Sequence, residues 1–289
     1  MLSIRFPHEV NLQGDVALTV AALLPLLEQK IDTSWRDKIA GWKKDWDQTL
    51  HDRAMVSANP VNPQRIFTEL SPRLPDRAIV TSDSGSAANW YARDLQFREG
   101  MTGSLSGGLA PMGAGVPYAI AAKFAFPDRP VLALVGDGAM QMNGMAELIT
   151  AAKYHHKWPN QTFVVCVLNN EDLNQVTWEQ RVMEGNPKAE ITQDLPDVPY
   201  HKFAELIGFE GIFVDDPEQL GAAWERALSC GRPCVLEVKT DPEVPPLPPH
   251  ITFKEAKAFM TTAIQGDPDE GSMIKGSIKQ VLSSVFAHD

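Results

Sequence analysis

A doubly wound parallel α/β sheet with helices on both faces is the fold class this sequence predicts. From Asn62 onward, short apolar runs alternate with helical segments, and two of those runs, LALVGDG and VVCVLNN, end in a polar motif. Such alternation argues for parallel strands joined by crossover helices. The composition agrees: 289 residues, 44% hydrophobic and 22% charged, suit a globular chain with a sizeable core.

Residues 1–30 read as a short strand, a loop and a helix, which looks like the remnant of a middle domain. Residues 31–60 form a linker helix, because Trp35, Ile39, Trp42, Trp46 and Leu50 recur at helical spacing among charges. Residues 61–240 make the main domain. Strands are predicted near 78–82, 131–135, 162–168, 211–214 and 233–238. Helices are predicted near 63–72, 112–126, 142–155, 200–208 and 217–229. Asn62 before Pro63 is a helix start, since proline fits the first turn. Residues 241–289 are a Pro-rich linker, DPEVPPLPPH, and a helical tail.

The net charge of −11 argues against nucleic acid as a partner, because no Lys/Arg stripe is present to neutralise phosphates. Cys166, Cys230 and Cys234 are too few and too irregular for a disulfide framework, and Cys230 with Cys234 has no second ligand pair for zinc. A reducing cytoplasmic location is the expectation. The N-terminus lacks a signal-peptide pattern, and no apolar run reaches the ~18 residues of a membrane span.

The helix between the two motifs carries Met142, Met145, Ala146, Leu148, Ile149 and Ala152 on the face expected to pack on the sheet. A right-handed strand–helix–strand unit brings Asp137 and Asn170 to the carboxyl rim, where open α/β sheets bind ligands. A carboxylate and an amide oxygen, with no thiolate or imidazole beside them, suit Mg²⁺. Gly136 and Gly138 allow a sharp turn and close approach to a ligand. Ala139 and Met140 are expected to point N–H groups at a phosphate. An acidic chain would then hold a diphosphate through a metal.

GDG after one strand and NN after the next resembles the fingerprint of the thiamine diphosphate-dependent enzymes. The separation of 33 residues between Asp137 and Asn170 is long for that pattern, and the excess is assigned to a surface loop, KYHHKWPNQ. The resemblance runs from Leu2 to the tail and is nearest to the pyruvate oxidase and quinone-dependent pyruvate dehydrogenase branch, related to acetolactate synthase. It implies that Asp137 and Asn170 are Mg²⁺ side-chain ligands and that Asp172 gives a main-chain carbonyl. In SDSGSAANWYAR, Ser84, Gly85 and Ser86 would approach the diphosphate. In GGLAPMGAGVPYAIAAK, Ala110 and Met112 would hold the bent cofactor, with Met112 as the wedge. Leu173, Asn174 and Gln175 follow NN closely enough to touch it.

The resemblance further implies decarboxylation of a 2-keto acid such as pyruvate, followed by oxidation through a flavin, with FAD in the complete enzyme; the alternative is acetolactate-type carboligation. In this family a glutamate from the N-terminal pyrimidine-binding domain of a partner chain activates the cofactor. That domain is expected to be absent here, so the chain alone is expected to be inactive and to work in a homo-oligomer. No catalytic residue is therefore assigned within it.

Plainer readings stand beside these. His155 and His156 are expected as a solvated pair on the far rim, and Glu147 as structural. In GSMIKGSIKQVLSSVF, Ile274, Ile278, Val281, Leu282 and Val285 share one face, expected to pack on the parent domain; a peripheral membrane contact is the sharper alternative. A nicotinamide-binding reading fails because GAGVPY lacks the third glycine and precedes its strand. A non-catalytic cofactor-binding module remains the non-enzyme alternative.

Overall fold

The strands form where β-branched and aliphatic residues run without interruption. In the computed structural model, which describes residues 4–246 and 253–285, they are β1 (Ile79–Ser82), β2 (Thr102–Leu105), β3 (Val131–Gly136), β4 (Phe163–Asn169), β5 (Glu210–Val214) and β6 (Cys234–Lys239). All pair in parallel, in the order β2-β1-β3-β4-β6-β5. Every residue of β4 is buried, as expected of a central strand covered on both faces.

Alternate residues of the strands feed two cores. Leu132, Leu134, Val164, Cys166 and Leu236 pack against Ile66, Phe67, Trp90 and Trp224 of the helices Pro63–Leu70, Ser86–Asp94 and Leu220–Ser229. On the opposite face, Val131, Ala133, Val135, Val165 and Val235 pack against Val116, Ile120, Leu148 and Ala204 of the helices Gly115–Ala125, Met145–Tyr154 and Tyr200–Leu206. Helices on both faces make the sheet doubly wound. Asn62 starts its helix as the sequence suggests: its side chain accepts from the Gln64 N–H at 3.0 Å.

Several elements differ from expectation. The edge strand β2, sequence TGSL, was not predicted because it is polar and mostly exposed. The helix Ser86–Asp94 was also not predicted. The helix expected from residue 112 starts at Gly115, after a loop in which Gly113 has φ +92°. The crossover segment opens with a turn, Asp137–Ala139, and a π-helix, Met140–Gly144, before Met145–Tyr154. Of the stripe expected on the sheet, Leu148 is buried and Met145 and Ala152 pack against the core, whereas Met142, Ala146 and Ile149 are exposed and Ala151 is buried in their place. In the segment read as a surface loop, Trp158 is buried against Phe163. His156 is exposed as expected, but His155 is half-buried, edge-on to Phe209.

The chain divides into two compact units, Met1–Asp47 and Gln48–Asp289. In the first, no residue from 4 to 47 is buried, residues 4–15 form no strand, and the main elements are the helix Val16–Leu23 and the start of Ser34–Ala54. The division falls inside the Trp-rich helix Ser34–Ala54. The second unit contains the sheet and the tail helices Phe253–Ile264 and Glu270–Val285. Met273 and, in part, Ile274 pack against Trp178 and Val182. The side chains of Ile278, Val281, Leu282 and Val285 lie outside the described residues. Among those described, no helix is long and apolar enough to cross a membrane.

Candidate functional site

The connection after β1 runs to one side of the sheet, to β2, and the chain then returns to place β3 on the other side of β1. This reversal opens a crevice at the carboxyl ends of β1 and β3, where an open α/β sheet binds its ligands. One cavity occupies that rim. Ser84, Gly85, Ser86, Met112, Gly136, Asp137, Gly138, Ala139, Asn170, Asp172, Leu173 and Asn174 all line it, together with Gln175.

Asp137 lies at its floor, 4% exposed. Its Oδ1 accepts from the Gly138 N–H at 2.8 Å, and its Oδ2 accepts from the Asn170 and Glu171 N–H groups at 3.0 and 2.6 Å. These bonds tie the end of β3 to the end of β4. Burial outweighs the three donors and pushes the carboxyl up to about 7. A buried carboxylate of this kind is relieved by a cation, which the remaining lone pairs can accept.

The Asp172 carboxylate is engaged by side chains of the protein, Asn174 Nδ2 donating to its Oδ2 at 3.3 Å. It accepts from Thr177 Oγ1 at 2.9 Å and pairs with Lys188 Nζ at 3.1 Å. Asn170 Oδ1 accepts from the Asp172 N–H at 3.1 Å, which closes the loop on itself. On the β1 side, Gly85 has φ +86°, a conformation open to glycine, and starts the helix Ser86–Asp94. Ser84 Oγ is buried and has no hydrogen-bond partner among the described residues. An orphaned hydroxyl on a residue that lines the crevice suits an oxygen-rich ligand. Gly138 gives close approach: a Cβ there would stand 2.8 Å from Leu173 Cδ2 and 3.1 Å from Met112 Cε.

Two of the predicted residues are not brought to the cavity. Ala110 is exposed with φ +49° and is not part of the lining. Met140 is buried in the core beneath the sheet, and its N–H donates to Asp137 O. The helical turn begins at Asp137 itself, so the Met140 amide already lies inside the turn and is not free for a phosphate.

Further residues, among them Asp83, Asn89, Lys239 and Glu237, which the sequence reading does not assign, hold the rim together. The Asp83 carboxylate, 1% exposed, accepts from Ser84 N (3.0 Å), Gly113 N (2.8 Å) and Gly115 N (2.6 Å), and so fixes the loop that carries Met112. Asn169 Nδ2 donates to Glu237 Oε1 at 2.7 Å, and Glu237 is also paired with His201. Lys239 pairs with Glu171 and Asp197. Ser86 Oγ donates to Asn174 Oδ1 at 3.0 Å, and Asn89 Nδ2 to Gln175 Oε1 at 2.7 Å, which join the two walls. Among the unassigned ones, Asp83 has a local signal, as the acidic residue directly before Ser84-Gly85.

The family described as "Thiamine pyrophosphate enzyme, C-terminal TPP binding domain" matches residues 83–238, more than half of the chain. The chain belongs to the thiamine pyrophosphate enzymes. Its six-stranded parallel sheet is their α/β cofactor-binding fold. Among relatives, the Bacillus subtilis protein YdaP, named for thiamine pyrophosphate, is 32% identical over 98% of this chain and 47% of its own length. The mitochondrial acetolactate synthase catalytic subunit of Aspergillus candidus is 34% identical over 81% of this chain and 33% of its own. Acetolactate synthase isozyme 3 large subunit of Escherichia coli is 30% identical over 76% and 38%. The chain thus spans about half the length, or less, of the thiamine pyrophosphate enzymes it resembles. The match starts at Asp83, the residue that ties the first wall of the crevice to the loop carrying Met112.

Proposed function

We propose that this chain is the part of a 2-keto acid-converting enzyme that holds thiamine diphosphate through Mg²⁺, with pyruvate as substrate and acetolactate-type carboligation as the outcome. The observation that carries the binding reading is the buried Asp137 carboxylate facing the same cavity as the unpartnered Ser84 Oγ. Asp137, the Asn170 side chain and the Asp172 carbonyl would hold the metal. Ser84, Gly85 and Ser86 would meet the diphosphate, and Met112, Leu173 and Asn174 would shape the cavity around the rings.

When bound, the cofactor supplies a thiazolium carbon that adds to the keto group and accepts the electron pair released with CO₂. The chain's own work is orientation. Asp83 fixes the loop of Met112, and the backbone bonds of Asp137 clamp β3 to β4, so the metal ligands are set before binding. The names of two relatives above support carboligation over the oxidation suggested by the pyruvate oxidase resemblance. A flavin and an activating glutamate from a partner chain belong to this proposal only for the whole protein.

The test uses the full-length protein with pyruvate, thiamine diphosphate and Mg²⁺, with products resolved by mass spectrometry. Acetolactate with CO₂ supports the reading. Acetate formed with reduction of an added electron acceptor would replace it with the oxidase reading, and no consumption of any 2-keto acid would refute both.

A further inference from the structure

Beyond the cavity lies a partly buried ionic cluster that joins the Asp172 loop to the tail. Lys188 Nζ reaches Asp172 Oδ1 at 3.1 Å, Asp194 Oδ1 at 2.7 Å and Asp269 Oδ2 at 3.8 Å. Its backbone N–H donates to Asp267 Oδ2 at 2.8 Å. Arg181, fully buried, binds both oxygens of Asp267 at 2.9 and 2.8 Å, Asp269 at 2.9 Å and Glu243 at 3.3 Å. Asp267 and Asp269 lie in the connection between the tail helices Phe253–Ile264 and Glu270–Val285.

Packing runs along the same line. Trp178 Nε1 and Asn174 Nδ2 both donate to Pro242 O, Trp178 stacks on Phe259, and Thr262 Oγ1 donates to Arg181 O. Asn174 faces the cavity while bonded to Pro242. The tail therefore contacts the Asp172 loop through a charge-paired bridge whose centre, Arg181 with Asp267, is fully buried and whose Asp194 and Asp269 carboxylates reach solvent. The Arg181–Asp267 and Lys188–Asp172 pairs, whose carboxylates are buried, are costly to break, because removing one partner leaves an uncompensated charge.

We infer that Lys188 is a positioning residue for the cofactor site: with Arg181, it locks Asp172 onto the tail, so that the tail holds the metal-binding loop in its binding conformation. This rests on the proposed role of the Asp172 carbonyl. It also carries an unusual sign. Lys188 is a cation close to a cation site, so by electrostatics alone its removal should tighten Mg²⁺ binding. If it acts by positioning, its removal should weaken binding.

The experiment is calorimetric titration of Mg²⁺ into the full chain with excess thiamine diphosphate, for the parent, Lys188→Met, Lys188→Arg and Asp269→Asn. Amide hydrogen exchange of residues 170–177 is followed in the ligand-free proteins. Positioning predicts at least tenfold weaker Mg²⁺ binding and faster exchange in Lys188→Met, with Lys188→Arg recovering most of both. Asp269→Asn changes the tail's partner of Arg181 and Lys188 without altering Lys188 or Asp172, and keeps the test open should Lys188→Met fail to fold; it should weaken binding several-fold. Unchanged or tighter Mg²⁺ binding with unchanged exchange in the folded variants would overturn the inference. If the parent itself does not bind, the cofactor reading fails, and the ligand-free exchange still decides whether Lys188 orders the loop.

Discussion

Replacing Asp83 with asparagine tests whether the first wall of the cavity is held by one carboxylate. Asp83 Oδ1 accepts two backbone N–H groups, from Ser84 and Gly113, and Oδ2 accepts a third, from Gly115. In Asp83→Asn one oxygen becomes an NH₂. With the remaining oxygen on the Ser84 and Gly113 side, the new donor faces the Gly115 N–H at the former 2.6 Å bond. A buried amide is orphaned and the other two bonds lose their charge assistance. The cost is about 2–4 kcal/mol, counting one unsatisfied buried donor and the weakening of two charged bonds. In a unit of this size, that lowers Tm by roughly 5–15 °C. Urea denaturation followed by tryptophan fluorescence, with Trp90 on the adjacent helix, measures it directly. Stability within about 0.5 kcal/mol of the parent would refute the claim that this carboxylate holds the loop of Met112.

Three further outcomes are expected. Ser84→Ala should leave stability within about 0.5 kcal/mol, since Ser84 Oγ has no partner to lose, yet weaken thiamine diphosphate binding by roughly tenfold or more, the worth of a hydrogen bond to a charged group; calorimetry and urea melts separate the two. Burial holds the Glu243 carboxyl up at about 7 despite Arg181, so its folded form keeps a proton that the unfolded chain releases near pH 4.5. That contribution is full below pH 4.5 and is lost as pH rises to 7. Unfolding free energy should therefore drop by up to about 3 kcal/mol across that window, and by less in Glu243→Gln. Lys123 is fully buried, with Nζ donating to Arg129 O at 2.6 Å and Asn160 O at 2.8 Å; Lys123→Met orphans both carbonyls and should cost about 2–4 kcal/mol in a urea titration.

The parts of this protein that were legible in sequence are those in which one residue type does one local job. The runs of Val and Leu read as central strands because both their faces are buried, and GDG and NN mark the rim because each ends such a run. Strand β2 escaped because its backbone pairs at an edge where TGSL needs no apolar side chains. The sheet-facing stripe is broader in sequence than in the structure: Met142 and Ile149, seven residues apart on one helical line, are exposed, and the buried line is that of Leu148 and Ala151, because a helix with apolar residues on several lines does not mark which of them meets the sheet. Met140 was assigned to the ligand for a related reason: which amide is free depends on where the first turn begins. Asp83, Lys188 and Glu237 act across 30 or more residues of sequence, or against partners from other elements, so no spacing could reveal them.

The most direct test of the account is calorimetric titration of thiamine diphosphate into this chain with Mg²⁺, again with a chelator, and with Asp137→Ala. The account predicts binding that needs Mg²⁺ and is lost in the variant while the variant stays folded. Equal affinity with and without the metal, or full affinity in Asp137→Ala, would contradict it.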